Sequence, residues 1–242
     1  MTSSEQNLFA PVKSKRTFEE VADNVKEMIF NGALQVGDRL PSEAQLARQF
    51  EVGRQTVREA LRQLELSGFV SIQRGGGGGA VINDAISLRI GDLLSDALRL
   101  KRVTLAELTE ARVEIESLVL NRLFANPDKK GLAALKRNVA QAQERIKTDQ
   151  KATDLNAQFH TLLAKATGNE VFVLVVEVIM AVHMNLLEEV GVSFLTSAKT
   201  VKAHAQLLQA IEDKDRALAS KLLIEHLVEV KSRLINAEKN PR

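Results

Sequence analysis

The sequence predicts a mainly α protein in two parts, a small winged helix-turn-helix module followed by a larger all-α helical bundle. Three observations carry this reading. Residues 17–82 hold three amphipathic helical segments and then a short pair of alternating strands. From Asn83 onward every periodic segment has helical spacing. The chain of 242 residues, 45% hydrophobic and 26% charged, is long enough for two ordinary domains and has a globular balance.

Residues 1–16 are polar, end in the basic cluster Lys13, Lys15 and Arg16, and read as a flexible arm. Thr17 with Glu20 fits a capping box, and Val21, Val25, Met28 and Ile29 follow at helical spacing as far as Asn31-Gly32. Ser42 is the expected N-cap of a second helix with Leu46, Ala47 and Phe50 on its apolar face. After the turn at Val52-Gly53, a third helix carries Val57, Ala60, Leu61 and Leu64 and stops at Ser67-Gly68. Phe69–Gln73 alternates like a strand, and Ala80–Ile82 is its partner. Between them stand Arg74 and five glycines, Gly75 to Gly79. The glycine run lacks the Gly-Lys-Ser/Thr ending of a nucleotide-phosphate loop and leads into a strand, so a hairpin tip is the better reading.

Residues 83–103 form the expected connecting segment, helical over Asp84–Leu100, and residues 104–242 the bundle. Its helices fall near 104–125, 129–147, 152–167, 169–190, 194–212 and 214–238. The breaks are Asn126-Pro127, Thr148-Asp149, Gly168-Asn169, Gly191 and Asp213-Lys214.

Composition excludes several classes of function. Cysteine is absent, so disulfides and thiolate metal ligands are ruled out, and any metal must rest on His, Asp, Glu or Asn. Without Trp or Tyr the usual stacking platforms for single-stranded nucleic acid are missing. A formal net charge of +2 does not advertise nucleic-acid binding, so that case must rest on local placement. Met1–Lys15 has no apolar run, and Val171–Val182, interrupted by Glu177, is too short to span a bilayer. A cytoplasmic protein with no membrane partner is expected.

The second helix of a helix-turn-helix enters the major groove and reads bases from its N-terminal residues. Here that end is Gly53-Arg54-Gln55-Thr56-Val57-Arg58. Arg suits the paired acceptors of guanine, Gln can pair with adenine, and Thr56 suits a phosphate or base edge. The bland alternative is a solvated face in which Arg54, Arg58 and Arg62 balance Glu59 and Glu65. Arg74 at a glycine-rich tip favours the DNA reading, because bare backbone there approaches a phosphate or minor groove closely.

Taken together, Pro41-Ser42-Glu43, Leu46-Ala47, Val52, Arg54, Thr56–Leu61, Leu64-Glu65, Gly68 and the glycines after Arg74 resemble the signature of the GntR family of bacterial regulators. The resemblance covers residues 17–82. It implies that Arg54 and Arg58 contact DNA, that Thr56 makes a helix-start contact, and that Arg74 with Gly75 forms the wing tip. Ala44 and Gly53 depart from members that carry a basic contact and a hydroxyl at those positions, which affects the target sequence rather than the activity.

The helical remainder resembles the FadR/FCD branch of that family through Glu110-Ala-Arg112, Phe159-His160, Gly168-Asn169, His204 and Glu225-His226. The residues speak independently as well. Arg112 falls inside the apolar stripe of Leu108, Ile115 and Val119 and needs a partner there. That partner is either Glu116, one turn on, or the carboxylate of a bound small molecule gripped bidentately. Of only four histidines, His160, His204 and His226 sit on or beside apolar faces of separate helices, where each is either a core side chain or one of a convergent set of metal ligands. His183, on the face of Val176, Met180 and Leu187, is a further pocket candidate or a core residue.

In metal-binding members of the FCD branch an Asp precedes the first His by one turn, and two later His complete the set. The resemblance therefore implies a divalent cation, zinc or nickel-like, held by His160, His204 and His226, with Asn156 in place of the Asp. Asn keeps a carbonyl oxygen at that position but loses a charge, so the cation binds more weakly or leans on an anionic effector or water. Asp154 lies about 120° away around the helix and cannot substitute.

Three histidines with an open position would also describe a hydrolytic metal site. No general base accompanies them, and the attached DNA-binding module argues for sensing rather than catalysis. The expectation is a ligand-responsive, sequence-specific transcription regulator, a repressor in type. It would bind operator DNA as a homodimer and respond to a small carboxylate. A metal-dependent enzyme and a protein-interaction module are the alternatives.

Overall fold

The computed structural model describes residues 17–73 and 79–239. The chain divides into two compact units, Met1–Arg89 and Ile90–Arg242. Among the described residues ten helices and one two-stranded sheet occur.

In the first unit, α1 (Thr17–Phe30), α2 (Glu43–Gln49) and α3 (Arg54–Leu66) precede the antiparallel strands β1 (Val70–Gln73) and β2 (Gly79–Ile82). Each helix ends where its sequence dictates. Ser42 caps α2 with a reciprocal box closed by Gln45, and Gly53 begins α3 without any side-chain cap. Gly68 takes φ +82, and a Cβ there would come within 2.8 Å of the Ala85 backbone, so glycine is required where the chain turns from α3 into the hairpin. Register pairs Val70 with Ile82 and Gln73 with Gly79. Arg39 adds a single bridge to Val81, with Leu40 N donating to Ala80 O at 2.9 Å.

The apolar stripes converge as expected. Val21, Ala22 and Val25 of α1 pack with Leu46 and Ala47 of α2 and with Val57, Ala60, Leu61 and Leu64 of α3; Val70, Ala80 and Ile82 close the core from the sheet side. This arrangement leaves the opposite face of α3 to solvent.

α4 (Ile86–Leu100) follows. The second unit is then built from α5 (Leu105–Ala125), α6 (Lys129–Lys147), α7 (Thr153–Lys165), α8 (Glu170–Val190), α9 (Phe194–Glu212) and α10 (Arg216–Lys239). Thr104, Asp128, Asn169 and Ser193 accept hydrogen bonds as N-caps of α5, α6, α8 and α9. Their core joins Val119, Leu120 and Leu123 of α5, Leu135 of α6, Phe159 and Leu163 of α7, Val176 and Met180 of α8, Leu207 and Ile211 of α9, and Leu223 and Leu227 of α10.

α8 matches the helix expected near 169–190, but its apolar span is longer than the run Val171–Val182, which is too short for a bilayer. Over Glu170–Glu188 it is long and apolar enough, by length and composition, to cross a membrane. It nevertheless carries Glu177 and buries Val173, Val176 and Met180 against the bundle, which is how a core helix reads.

Candidate functional site

The exposed N-terminal end of α3 presents Arg54, Gln55 and Arg58 to solvent, while Thr56 is half-buried and Val57 faces the core. This is the division the helical spacing predicts. Two of these side chains are held by carboxylates. Gln55 Nε2 donates to Glu59 Oε1 at 3.1 Å. Arg58 donates to Glu43 at the start of α2, which the sequence alone did not suggest. Glu43 is pulled below the ordinary carboxylate range, first by that hydrogen bond and, despite some burial, by the charges of Arg58 and Arg54. At the base of the wing, Arg39 Nη2 donates to Gln73 Oε1 at 3.2 Å. Arg74 and Gly75, expected at the wing tip, lie outside the described residues.

The second constellation is inside the helical unit. His160 of α7, His204 of α9 and His226 of α10 are all buried and turn their Nε2 atoms toward one another. His204 Nε2 lies 3.1 Å from His226 Nε2, and His226 Nε2 lies 3.4 Å from His160 Nε2. Nitrogens bonded to one cation at about 2.0–2.1 Å stand roughly 3.0–3.4 Å apart, so the spacing suits a shared divalent ion. Phe159 supports the set by stacking on His204, with ring centroids 3.9 Å apart and planes 7° from parallel.

Asn156 adds an independent observation. It is one helical turn before His160 and buried. Its Nδ2 donates to the Ser197 carbonyl at 3.3 Å, whereas Oδ1 is buried without a hydrogen-bond partner. A buried oxygen without a donor is costly, and a cation would satisfy it. The three imidazoles fit a divalent metal, and Asn156, one turn before His160, keeps a buried acceptor that nothing among the described residues satisfies. Asp154 stands apart, paired with Arg145 at 2.5 Å.

Burial, the largest effect in each case, pushes His204, His226 and His183 well below the ordinary imidazole range. It also lowers His160, although the Glu116 carboxylate pulls the other way. Neutral imidazoles are the form that ligates metal.

Arg112 takes the first of its two sequence alternatives, the partner one turn on. Its Nε donates to Glu116 Oε1 at 2.5 Å, and both side chains are buried. Arg112 also lines a narrow cleft with His183, Thr109, Lys231 and the apolar side chains of Leu105, Leu108, Ile179, Leu227, Val230 and Leu234. Lys231 and Thr109 were not singled out by the sequence, because neither interrupts an apolar stripe conspicuously. Glu116 itself is only 1% exposed and holds His160 Nδ1 with its second oxygen at 2.6 Å. Burial pushes its carboxyl up, but Arg112 and His160 outweigh this and hold it below the usual carboxylate range.

Comparison with known proteins follows the same two-part division. Residues 17–79 match the bacterial regulatory proteins of the gntR family, and residues 107–229 match the FCD domain. The Uxu operon regulator of Haemophilus influenzae is 28% identical over 90% of this chain and 82% of its own. The Exu regulon transcriptional regulator of Escherichia coli is 28% identical over 92% and 86%, respectively. The transcriptional repressor NanR of Klebsiella aerogenes is 27% identical over 91% and 86%. Among solved structures, a GntR protein of Streptococcus agalactiae shares the fold with a TM-score of 0.62 and 24% identity, over 89% of this chain and 99% of that one.

Proposed function

Because this chain belongs to the gntR family of bacterial regulatory proteins and carries an FCD domain, we propose that it is a homodimeric transcription regulator whose helical domain senses a small carboxylate beside a divalent cation. The DNA-binding, ligand-responsive character follows from the two domains and from the relatives, which are named as regulators or a repressor. The finer reading rests above all on one observation, the convergence of three buried histidine side chains on one point.

In this reading Arg54, Gln55, Thr56 and Arg58 contact operator DNA from the major groove, and Arg74 with Gly75 reaches it from the wing. His160, His204, His226 and Asn156 hold the cation. A bound cation supplies fixed positive charge for the oxygens of a carboxylate. Arg112 and His183, from the cleft, orient the rest of that acid, and the apolar lining favours a ligand with a short hydrocarbon part. All four metal-facing groups are neutral, and Arg112 cancels Glu116, so the cation's charge needs an anion nearby. The protein acts in the cytoplasm, where operator DNA is found. Two copies would place two α3 helices on half-sites of a near-palindromic operator.

Selection from a pool of random duplexes tests the reading. A single enriched near-palindrome is expected, with retention altered by added carboxylic acids in the presence of zinc. Retention without sequence preference would refute the regulator reading. Elemental analysis of untagged protein, compared with His204→Ala, tests the metal: equal, near-zero content in both refutes it.

A further inference from the structure

Glu116 joins the cleft to the histidine cluster. One oxygen accepts from Arg112 Nε at 2.5 Å, and the other faces His160 Nδ1 at 2.6 Å. All three residues are at most 5% exposed, so water competes little for these bonds. An ionised carboxylate only accepts, so the proton between Glu116 and His160 sits on Nδ1. The lone pair of His160 is then on Nε2, the atom that faces His226 at 3.4 Å.

We propose that Glu116 is a positioning residue, which fixes His160 in the Nδ1–H form so that Nε2 is free to bind a cation, with Arg112 locking the carboxylate in that role. This rests on the metal reading above but makes a claim of its own about proton placement. Arg112 Nε is an obligatory donor, so whatever occupies position 116 must turn an acceptor toward it. A carboxylate has a second acceptor left for His160. An amide does not, because its oxygen goes to Arg112 and its NH2 then faces Nδ1. The imidazole would have to accept at Nδ1 and carry its proton on Nε2, in the middle of the cluster. Outer-shell carboxylates of this kind commonly set ring orientation and ligand basicity.

The test uses the full-length protein labelled with 15N at histidine and stripped of metal, with zinc alone as the probe. Ring 15N–1H correlations are expected to place the His160 proton on Nδ1 in the wild type and on Nε2 in Glu116→Gln. Zinc affinity, measured by competition with a chromophoric chelator, should fall about 10- to 100-fold in that variant. The double variant Arg112→Met, Glu116→Gln removes the obligatory donor and lets the amide turn its oxygen to Nδ1–H. It should recover the Nδ1–H form and most of the zinc affinity. A proton on Nε2 in the wild type overturns the proposal, as does a single variant that binds zinc within twofold of the wild type. The wild-type spectrum decides the question even if Glu116→Gln does not fold. A wild-type chain with Nδ1–H and no zinc binding supports the proton placement and refutes the metal reading alone.

Discussion

Arg58 donates to Glu43 through Nη2 at 2.9 Å and through Nε at 3.3 Å, so a carboxylate from α2 grips a side chain that α3 would offer to DNA. Both groups remain solvent-accessible, and a phosphate or a guanine edge would compete for the same guanidinium. Arg58→Ala should weaken binding to a selected operator about tenfold to a hundredfold in a mobility-shift titration. Glu43→Gln should act differently. It removes a negative charge beside Arg58, so affinity for random-sequence duplex should rise severalfold at low salt, while discrimination between operator and random duplex falls.

Gly53 begins α3 with extended backbone, φ −67 and ψ 149, and no side-chain cap. A Cβ at this position would meet only Thr56 Oγ1, at 3.9 Å. Serine is therefore accommodated and its hydroxyl can accept from the first turn. Gly53→Ser should stabilise the N-terminal unit by roughly a few tenths of a kcal/mol, read from urea denaturation. It should also change which operator is selected if, as proposed, the start of α3 docks in the major groove.

Removing Arg112 leaves Glu116 buried and without its cationic partner. Arg112→Met should cost about 3–5 kcal/mol of stability at pH 7. The pH dependence reverses in sign. In the wild type the folded-state pKa of Glu116 lies below its ordinary value of 4.5. Its stabilising contribution is therefore complete above that value and is lost as pH falls below it. In Arg112→Met, burial is no longer offset by Arg112, the carboxyl prefers a proton, and the variant should close part of its stability deficit on acidification from neutrality. Denaturant titrations across pH 4–7 separate the two slopes.

His183 is buried in the wall of the cleft, and burial holds it well below the ordinary imidazole value of 6.5. The folded-state pKa is the lower one, so its contribution is present above pH 6.5 and is lost progressively as pH falls. In that window the group adds up to about 1.4 kcal/mol per pH unit to the slope of stability against pH. His183→Gln should flatten the slope by that amount at most, with little change above pH 7.

Most of the fold was legible because its boundaries are written in local chemistry. Gly68, Asn126-Pro127, Gly168-Asn169 and Gly191 stop elements within a residue or two of where the structure does. The three histidines were legible for a related reason, since a polar ring on an apolar face must point inward. What the sequence did not disclose is pairing at a distance. Glu43 and Arg58 are 15 residues apart, Glu116 and His160 are 44 apart, and nothing in local spacing joins them. Glu116 entered the sequence reading as a neighbour of Arg112 one turn away. Its second oxygen, which carries the link to His160, becomes visible only once α5 and α7 lie side by side. At Arg112 the protein partner is Glu116, and the side chain also lines the cleft, which spacing along one helix does not disclose.

The imidazoles of His160, His204 and His226 come from three helices, the outermost pair 66 positions apart in the chain. Whatever grips all three Nε2 atoms fastens α7, α9 and α10 to one point. No one of those helices could then fray alone, and their amides would exchange with solvent together, through a single opening event. In a chain with no cysteine, this triad stands where a secreted protein would carry its covalent staple. Occupancy of such a site and rigidity of the bundle would then be one measurable quantity.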